Sequence, residues 1–226
     1  MERSRNMSKS ELITCIGIAV MIILTVIKAL TFSQIAAAAL ILTGLALFFI
    51  VEAVAKTPDA ESGLRFKTFF SDVKKPGVLA LILLSLALTV AEMLAEKYLL
   101  GSFGRVYVDH VLERARMTDL SNLPMVILQD LPPVVAEEIG FRGFFLGKGM
   151  KRVPFWPMAL CSAACFAAAH IASGAPGIVI FDVALIFIDG LIFALIYRKT
   201  ENCLISMIPH FINNVAGLLL VPVLFG

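Results

Sequence analysis

Three short polar clusters interrupt segments that are otherwise apolar enough to cross a membrane: Glu137-Glu138-Ile139-Gly140-Phe141-Arg142, Phe166-Ala167-Ala168-Ala169-His170 and His210-Phe211-Ile212-Asn213-Asn214. An ionised group in hydrocarbon costs roughly 2.5–3.5 kcal/mol on insertion scales, so such groups mark functional sites by default. Two carboxylates, a guanidinium and two imidazoles at that depth are most economically used for hydrolysis within the bilayer. On a helix, Glu138 and Arg142 stand four residues apart and share a face, the favourable order for an acid–base pair. Glu137 points about 100° away from Glu138 and has no local partner. One carboxylate therefore neutralises the Arg, while the other stays available as a general base toward water.

The remaining clusters supply complementary chemistry. His170 follows a run of small residues that lets a neighbouring helix come close, and its imidazole beside Glu137 would help hold and activate a water. Phe166 lies one turn behind it. His210 and Asn214 are one turn apart on one face and can donate hydrogen bonds to a developing oxyanion. Such a donor is worth roughly 2.7–4 kcal/mol in known cases. Pro132 and Pro133, just before Glu137, remove backbone hydrogen bonds. The freed carbonyls could line a small wet cavity, and Asp130 extends the polar stripe or marks the outer part of the span. Each cluster alone also has a plain structural reading: an ion pair locking helices, a satisfied core histidine, or polar glue between helices.

These groups need helices to carry them. The chain has 226 residues, 59% of them apolar and 16% charged, with a mean hydropathy of +0.92. Soluble domains are about 45–50% apolar and about 25% charged, so the expected fold is all-α, a polytopic transmembrane helical bundle. Seven spans are predicted, at 12–31, 35–55, 78–100, 124–147, 154–172, 177–197 and 203–224. Six to eight remain open, because Asp182 and Asp189 fall inside 177–197. Residues 1–226 read as one membrane domain: 1–123 hold the N-terminal spans and an outer loop, and 124–226 hold a core of four helices. In 56–77, Phe66, Phe69 and Phe70 suggest a short interfacial helix, and 101–123 reads as a charged loop.

Basic residues in the connections put Lys and Arg overwhelmingly on the side of the N-terminus, which the positive-inside rule places in the cytoplasm. At 1.5 Å per residue the three clusters then fall at comparable depth, roughly 14–24 Å from the cytoplasmic ends of their spans. The N-terminal run is too long for a signal peptide and reads as a retained span. The C-terminal Val-Leu-Phe-Gly is no prenylation box. A net charge of +2 and the lack of a basic aromatic stripe exclude nucleic acid as a partner. Cys15, Cys161, Cys165 and Cys203 have neither disulfide nor zinc spacing and read as buried thiols. His110, in the outer loop, is expected to be solvated. Glu92, Glu96 and Lys97 are expected to snorkel to the interface. Asp182 and Asp189 either face a cavity or cap short helices, and Lys28 and Glu52 lie near span ends.

Taken together, Glu-Glu-x-x-x-Arg, Phe-x-x-x-His and His-x-x-x-Asn, in that order over about residues 124–218, resemble the CPBP family. This family comprises CAAX prenyl proteases of the Rce1 type and the Abi proteins of bacteriocin processing and self-immunity. The resemblance implies a glutamic intramembrane endopeptidase. Glu137 and His170 would activate water, His210 and Asn214 would stabilise the oxyanion, and Glu138, Arg142 and Phe166 would support them. It implies a peptide or protein substrate, lipidated or otherwise membrane-associated, but substrate specificity does not carry over because family members process unlike substrates; the compact architecture suggests a bacterial cytoplasmic membrane. No cofactor is implied. A zinc protease using the same Glu and two His, or a non-catalytic binding or immunity protein, are the competing readings.

Overall fold

The computed structural model describes residues 7–58, 61–114 and 123–225. Among these the chain is all-helical, a polytopic bundle of an integral membrane protein. Five helices are long and apolar enough to cross a membrane: α1 (Lys9–Thr31), α2 (Gln34–Ala55), α4 (Val78–Tyr98), α9 (Pro176–Thr200) and α10 (Cys203–Phe225). Short α3 (Phe69–Val73) precedes α4, and α5 (Ser102–Arg114) follows it. Next come α6 (Leu123–Glu138), a π-helical segment (Ile139–Leu146) and the short α7 (Gly147–Gly149), without a break. This continuous rod covers the predicted 124–147 span. α8 (Phe155–Ala169) has 15 residues.

Local chemistry sets the boundaries. Ser8 and Glu11 form a reciprocal capping box at the start of α1, which satisfies two orphan N–H groups. α1 closes on Phe32 in the left-handed conformation, and Ser33 caps α2 through Ala36 N–H, so two residues suffice to reverse the chain. α4 starts from Gly77 at φ 77°, a conformation that glycine adopts without strain. Pro132 and Pro133 sit inside α6 without ending it. The helix widens into the π-helical segment one residue after Glu138 instead. Single π-helical stretches in α-helices occur frequently at functional sites.

Packing centres on that π-helical segment. All eight of its residues are buried, with Phe141, Phe144 and Phe145 against Met21 and Leu40 of the first two helices and Phe48 of α2. α2 approaches backbone to backbone: a Cβ on Gly44 would stand 2.9 Å from Gly140 Cα, so a side chain there would force the helices apart. A second apolar cluster joins Val78 and Ile82 of α4 to Ile192 and Ile196 of α9 and Ile205 of α10.

Several expectations change here. The predicted span 154–172 is shorter than expected. α8 ends at Ala169, His170 is its C-cap, and irregular backbone follows to Ala175. At about 1.5 Å per residue, 15 residues reach only about 22 Å, short of a hydrocarbon core of about 30 Å. The outer loop is helical over Ser102–Arg114, with Arg105 and Asp109 paired across one turn at 3.5 Å; residues 115–122 lie outside the described residues. Residues 177–197 fall in one unbroken helix. α3 follows Phe66, and both Phe66 and Phe70 are exposed, as an interfacial segment requires.

On the side that carries most of the basic residues, Asp72 of α3 ties the connection to the bundle. Its carboxylate accepts from Thr68 Oγ1 at 2.6 Å and Asn202 Nδ2 at 3.0 Å, and pairs with Lys75 at 2.8 Å and Arg65 at 3.6 Å. Burial alone raises a carboxyl. Here the hydrogen bonds from Lys75, Thr68 and Asn202, with the Arg65 charge, outweigh it and hold Asp72 below its ordinary value. A folded-state value below the unfolded one gives stability that is present above the unfolded value, about 3.9, and is lost as pH falls through the folded value. Asp72→Asn is expected to lower stability at pH 7 by about 1–3 kcal/mol. It should also flatten the acid limb of a melting-temperature profile measured in detergent.

Candidate active site

Glu137 and Glu138 close α6, and their divergent directions separate their environments. Glu138 is fully buried and makes a 2.8 Å ion pair with Arg142 Nη1 across one turn. Arg142 is 1% exposed, donates to the Gly190 carbonyl of α9 at 3.3 Å, and lies over the Phe166 ring at 4.1 Å and the Phe193 ring at 5.1 Å. The guanidinium is thus held by one carboxylate, one carbonyl and two aromatic faces contributed by α8 and α9. Glu137, one residue earlier, faces a cavity of about 960 Å³ that Asp130, His170, His210 and Asn214 also line.

His210 connects the two glutamates. Its Nδ1 is 3.0 Å from Glu138 Oε1 and its Nε2 is 3.7 Å from Glu137 Oε2. A carboxylate oxygen accepts, so the contact with Glu138 places a proton on Nδ1 and turns Nε2 toward Glu137 and the cavity. The ring is fixed sideways by stacking on Phe193, with centroids 5.2 Å apart and planes 22° apart, and by the edge of Phe166 at 5.6 Å.

His170 takes its place by a different device. As the C-cap of α8 it sits where helical carbonyls run out, and its Nδ1 donates to the Phe166 carbonyl at 2.8 Å. Its ring packs 4.8 Å from the Phe166 ring. With Nδ1 as donor, Nε2 is left as an acceptor. The sequence placed this imidazole beside Glu137. In the structure both groups line one cavity, but no hydrogen bond or ion pair joins them, and the imidazole within 4 Å of Glu137 belongs to His210.

Asn214 was paired by sequence with His210 on one face. It lines the cavity too, and its Nδ2 donates to both oxygens of Asp130 at 3.1 Å. Asp130 is therefore a member of the site, on the stripe that its spacing of seven from Glu137 indicates. Among the described residues no group of three or more His, Cys, Asp or Glu is arranged to hold a metal ion.

Farther along the same cavity lies a second polar group that the sequence reading placed elsewhere. Asp182 of α9, 1% exposed, pairs with Arg114 Nε at 3.0 Å and His110 Nε2 at 3.7 Å, both from α5, and lies 3.4 Å from Tyr107 Oη. Tyr107 in turn donates to Glu92 at 3.0 Å. Contrary to expectation, His110 is not solvated, and Glu96, which also lines the cavity, is 2% exposed rather than snorkelling. Asp189 faces the cavity as well and accepts from Ser85 at 3.4 Å. Phe193, the stacking partner of His210, carries no signal in sequence, since nothing separates it from the other apolar residues of α9. Arg114 and Asp182 carried one, as opposite charges beside or within apolar runs.

Residues 119–216 match the family model described as type II CAAX prenyl endopeptidase Rce1-like. No curated protein and no solved structure matches the chain. The match takes in α6, the π-helical segment, α8, α9 and α10 as far as Ala216, and with them all seven residues singled out by the three motifs. Helices apolar enough to span a bilayer and this match, which covers less than half of the chain, make residues 119–216 similar to the Rce1-like membrane endopeptidases of the CAAX type.

Proposed function

We propose that this protein hydrolyses peptide bonds with a water activated by Glu137 and His170. The observation that carries the proposal is the division of labour between adjacent carboxylates: Glu138 is spent on Arg142 and His210, while Glu137 faces the shared cavity. Glu137 accepts a proton as the water oxygen attacks the carbonyl carbon, and His170 Nε2 accepts a hydrogen bond that orients the same water. Negative charge on the carbonyl oxygen is met by His210 and Asn214. Donation by His210 Nε2 requires a proton on both ring nitrogens, with Glu138 and Glu137 as counter-charges. The proton held by Glu137 then passes to the leaving amine as the C–N bond breaks. No covalent intermediate forms.

The substrate on this reading is a peptide or protein segment delivered from the bilayer, lipidated or otherwise membrane-associated. On the same reading the protein sits in a bacterial cytoplasmic membrane, and the distribution of Lys and Arg favours an N-terminus on the inside. The test is a comparison of newly formed peptide termini in membranes bearing the intact chain or a variant with Glu137, His170, His210 and Asn214 all changed to Ala. Termini that vanish with the variant support hydrolysis. A cellular phenotype that survives the variant unchanged establishes a binding or immunity role instead. Activity lost to a chelator and restored by one metal would assign the water to zinc, held by the same Glu and His side chains.

A further inference from the structure

His170 occupies an unusual position for a reacting group. It stands at the end of a helix too short for a span, where the backbone turns irregular at membrane depth. Such backbone is tolerated only where protein encloses it or where it lines a wet cavity. The residues that enclose it come from outside the matched region. From the last turn of α1, Lys28 reaches across, and its Nζ donates to the Ile171 carbonyl at 2.7 Å. Lys28 is 4% exposed and lines the same cavity as His170. Among the described residues no carboxylate pairs with it, and the ammonium group donates to a backbone carbonyl directly after His170. On the other flank, α5 closes against Gly174: a Cβ there would stand 2.9 Å from His110 Nδ1, and His110 is itself held toward Asp182.

From this arrangement we infer that Lys28 is a positioning residue for the hydrolytic reaction, fixing His170 through the Ile171 carbonyl. The inference rests on the proposed role of His170. Two restraints act on that side chain. Its ring rotation is set by its own Nδ1–H on the Phe166 carbonyl. Its backbone is set by Lys28, because displacement of the adjoining peptide carries His170 with it. The Ile171 carbonyl is an acceptor, so the contact suits an ammonium or guanidinium donor and not an apolar replacement. Placement within about 1 Å can be worth about 10²-fold in rate.

The test uses the full chain in detergent or liposomes, with Lys28→Met and Lys28→Arg. Turnover of a peptide substrate is followed beside the imidazole resonances of protein labelled with nitrogen-15 histidine. Only three histidines are present, and the His170 signals are identified by their loss in His170→Gln. Lys28→Met is expected to lower kcat roughly 10–100-fold with KM changed less than about twofold. It should move the His170 resonances alone, and Lys28→Arg should restore both. A change confined to KM would make Lys28 a substrate contact and overturn the inference. So would an unmoved His170 signal, or shifts of all three histidines together. If the intact chain cleaves nothing, the hydrolytic reading fails by itself, and the resonances still report whether Lys28 holds His170.

Discussion

Glu137→Gln is expected to remove roughly 10²–10⁴-fold of the peptidase rate, the range contributed by a positioned general base, while leaving the melting temperature of the detergent-solubilised protein nearly unchanged. The second half of that expectation follows from the environment of the side chain. Glu137 lines the cavity, and among the described residues only His210 Nε2, at 3.7 Å, stands within ion-pair distance of it. An amide of the same shape keeps the packing and loses the proton acceptor. Glu138→Gln should behave differently. It strips a buried guanidinium of its 2.8 Å ion-pair partner and His210 of its 3.0 Å contact, so turnover and stability should fall together. The assay is single-turnover cleavage of a peptide, read beside a thermal melt of each variant. If Glu137→Gln retains full turnover while Glu138→Gln loses it without unfolding, the base has been assigned to the wrong carboxylate.

The contrast between these two neighbours shows what could be read from the chain. That Glu138 would take Arg142 follows from a spacing of four residues, and the pair closes at 2.8 Å. That Glu137, His170, His210 and Asn214 would reach one depth follows from rise per residue and loop charge, and one cavity takes in all four, with Asp130 beside them. Contacts between distant segments were not legible. His210 sits against both glutamates 72 and 73 positions away in the chain, and no local spacing points to that. The π-helical widening after Glu138 was equally hidden, because the residues Ile139–Leu146 suit a plain apolar helix. Charge density misled in α5. Arg105, Asp109, His110 and Arg114 look like a solvated loop, yet Tyr107, Val108 and His110 are buried. His110 and Arg114 answer Asp182 on α9, while Arg105 and Asp109 stay exposed and pair with each other. Lys28 and Glu52 were set aside as span-end residues. Lys28 turns inward to Ile171, and Glu52 pairs with Lys148. A basic or acidic side chain near a span end reads the same whether it snorkels out or folds in.

Arg142→Met should be the most destabilising single change in the motif helices, by about 3–5 kcal/mol, the usual penalty for removing one partner of a buried ion pair. Arg142 and Glu138 are 1% and 0% exposed, so water cannot replace the lost partner. Methionine also forfeits the hydrogen bond to Gly190 and the stacking beneath Phe166 and Phe193. Adding Glu138→Gln to Arg142→Met removes the stranded charge. The double variant should therefore be more stable than Arg142→Met alone, because breaking a pair costs more than deleting it. Turnover should not return with stability. His210 would have lost the carboxylate that sets its Nδ1 proton, and its Nε2 would no longer be directed at Glu137. Melting temperatures of the two single variants and the double variant form a cycle whose coupling energy measures the pair directly. A coupling near zero would mean that Arg142 serves the aromatic faces and the Gly190 carbonyl rather than Glu138, and the separation of roles between the adjacent glutamates would have to be abandoned.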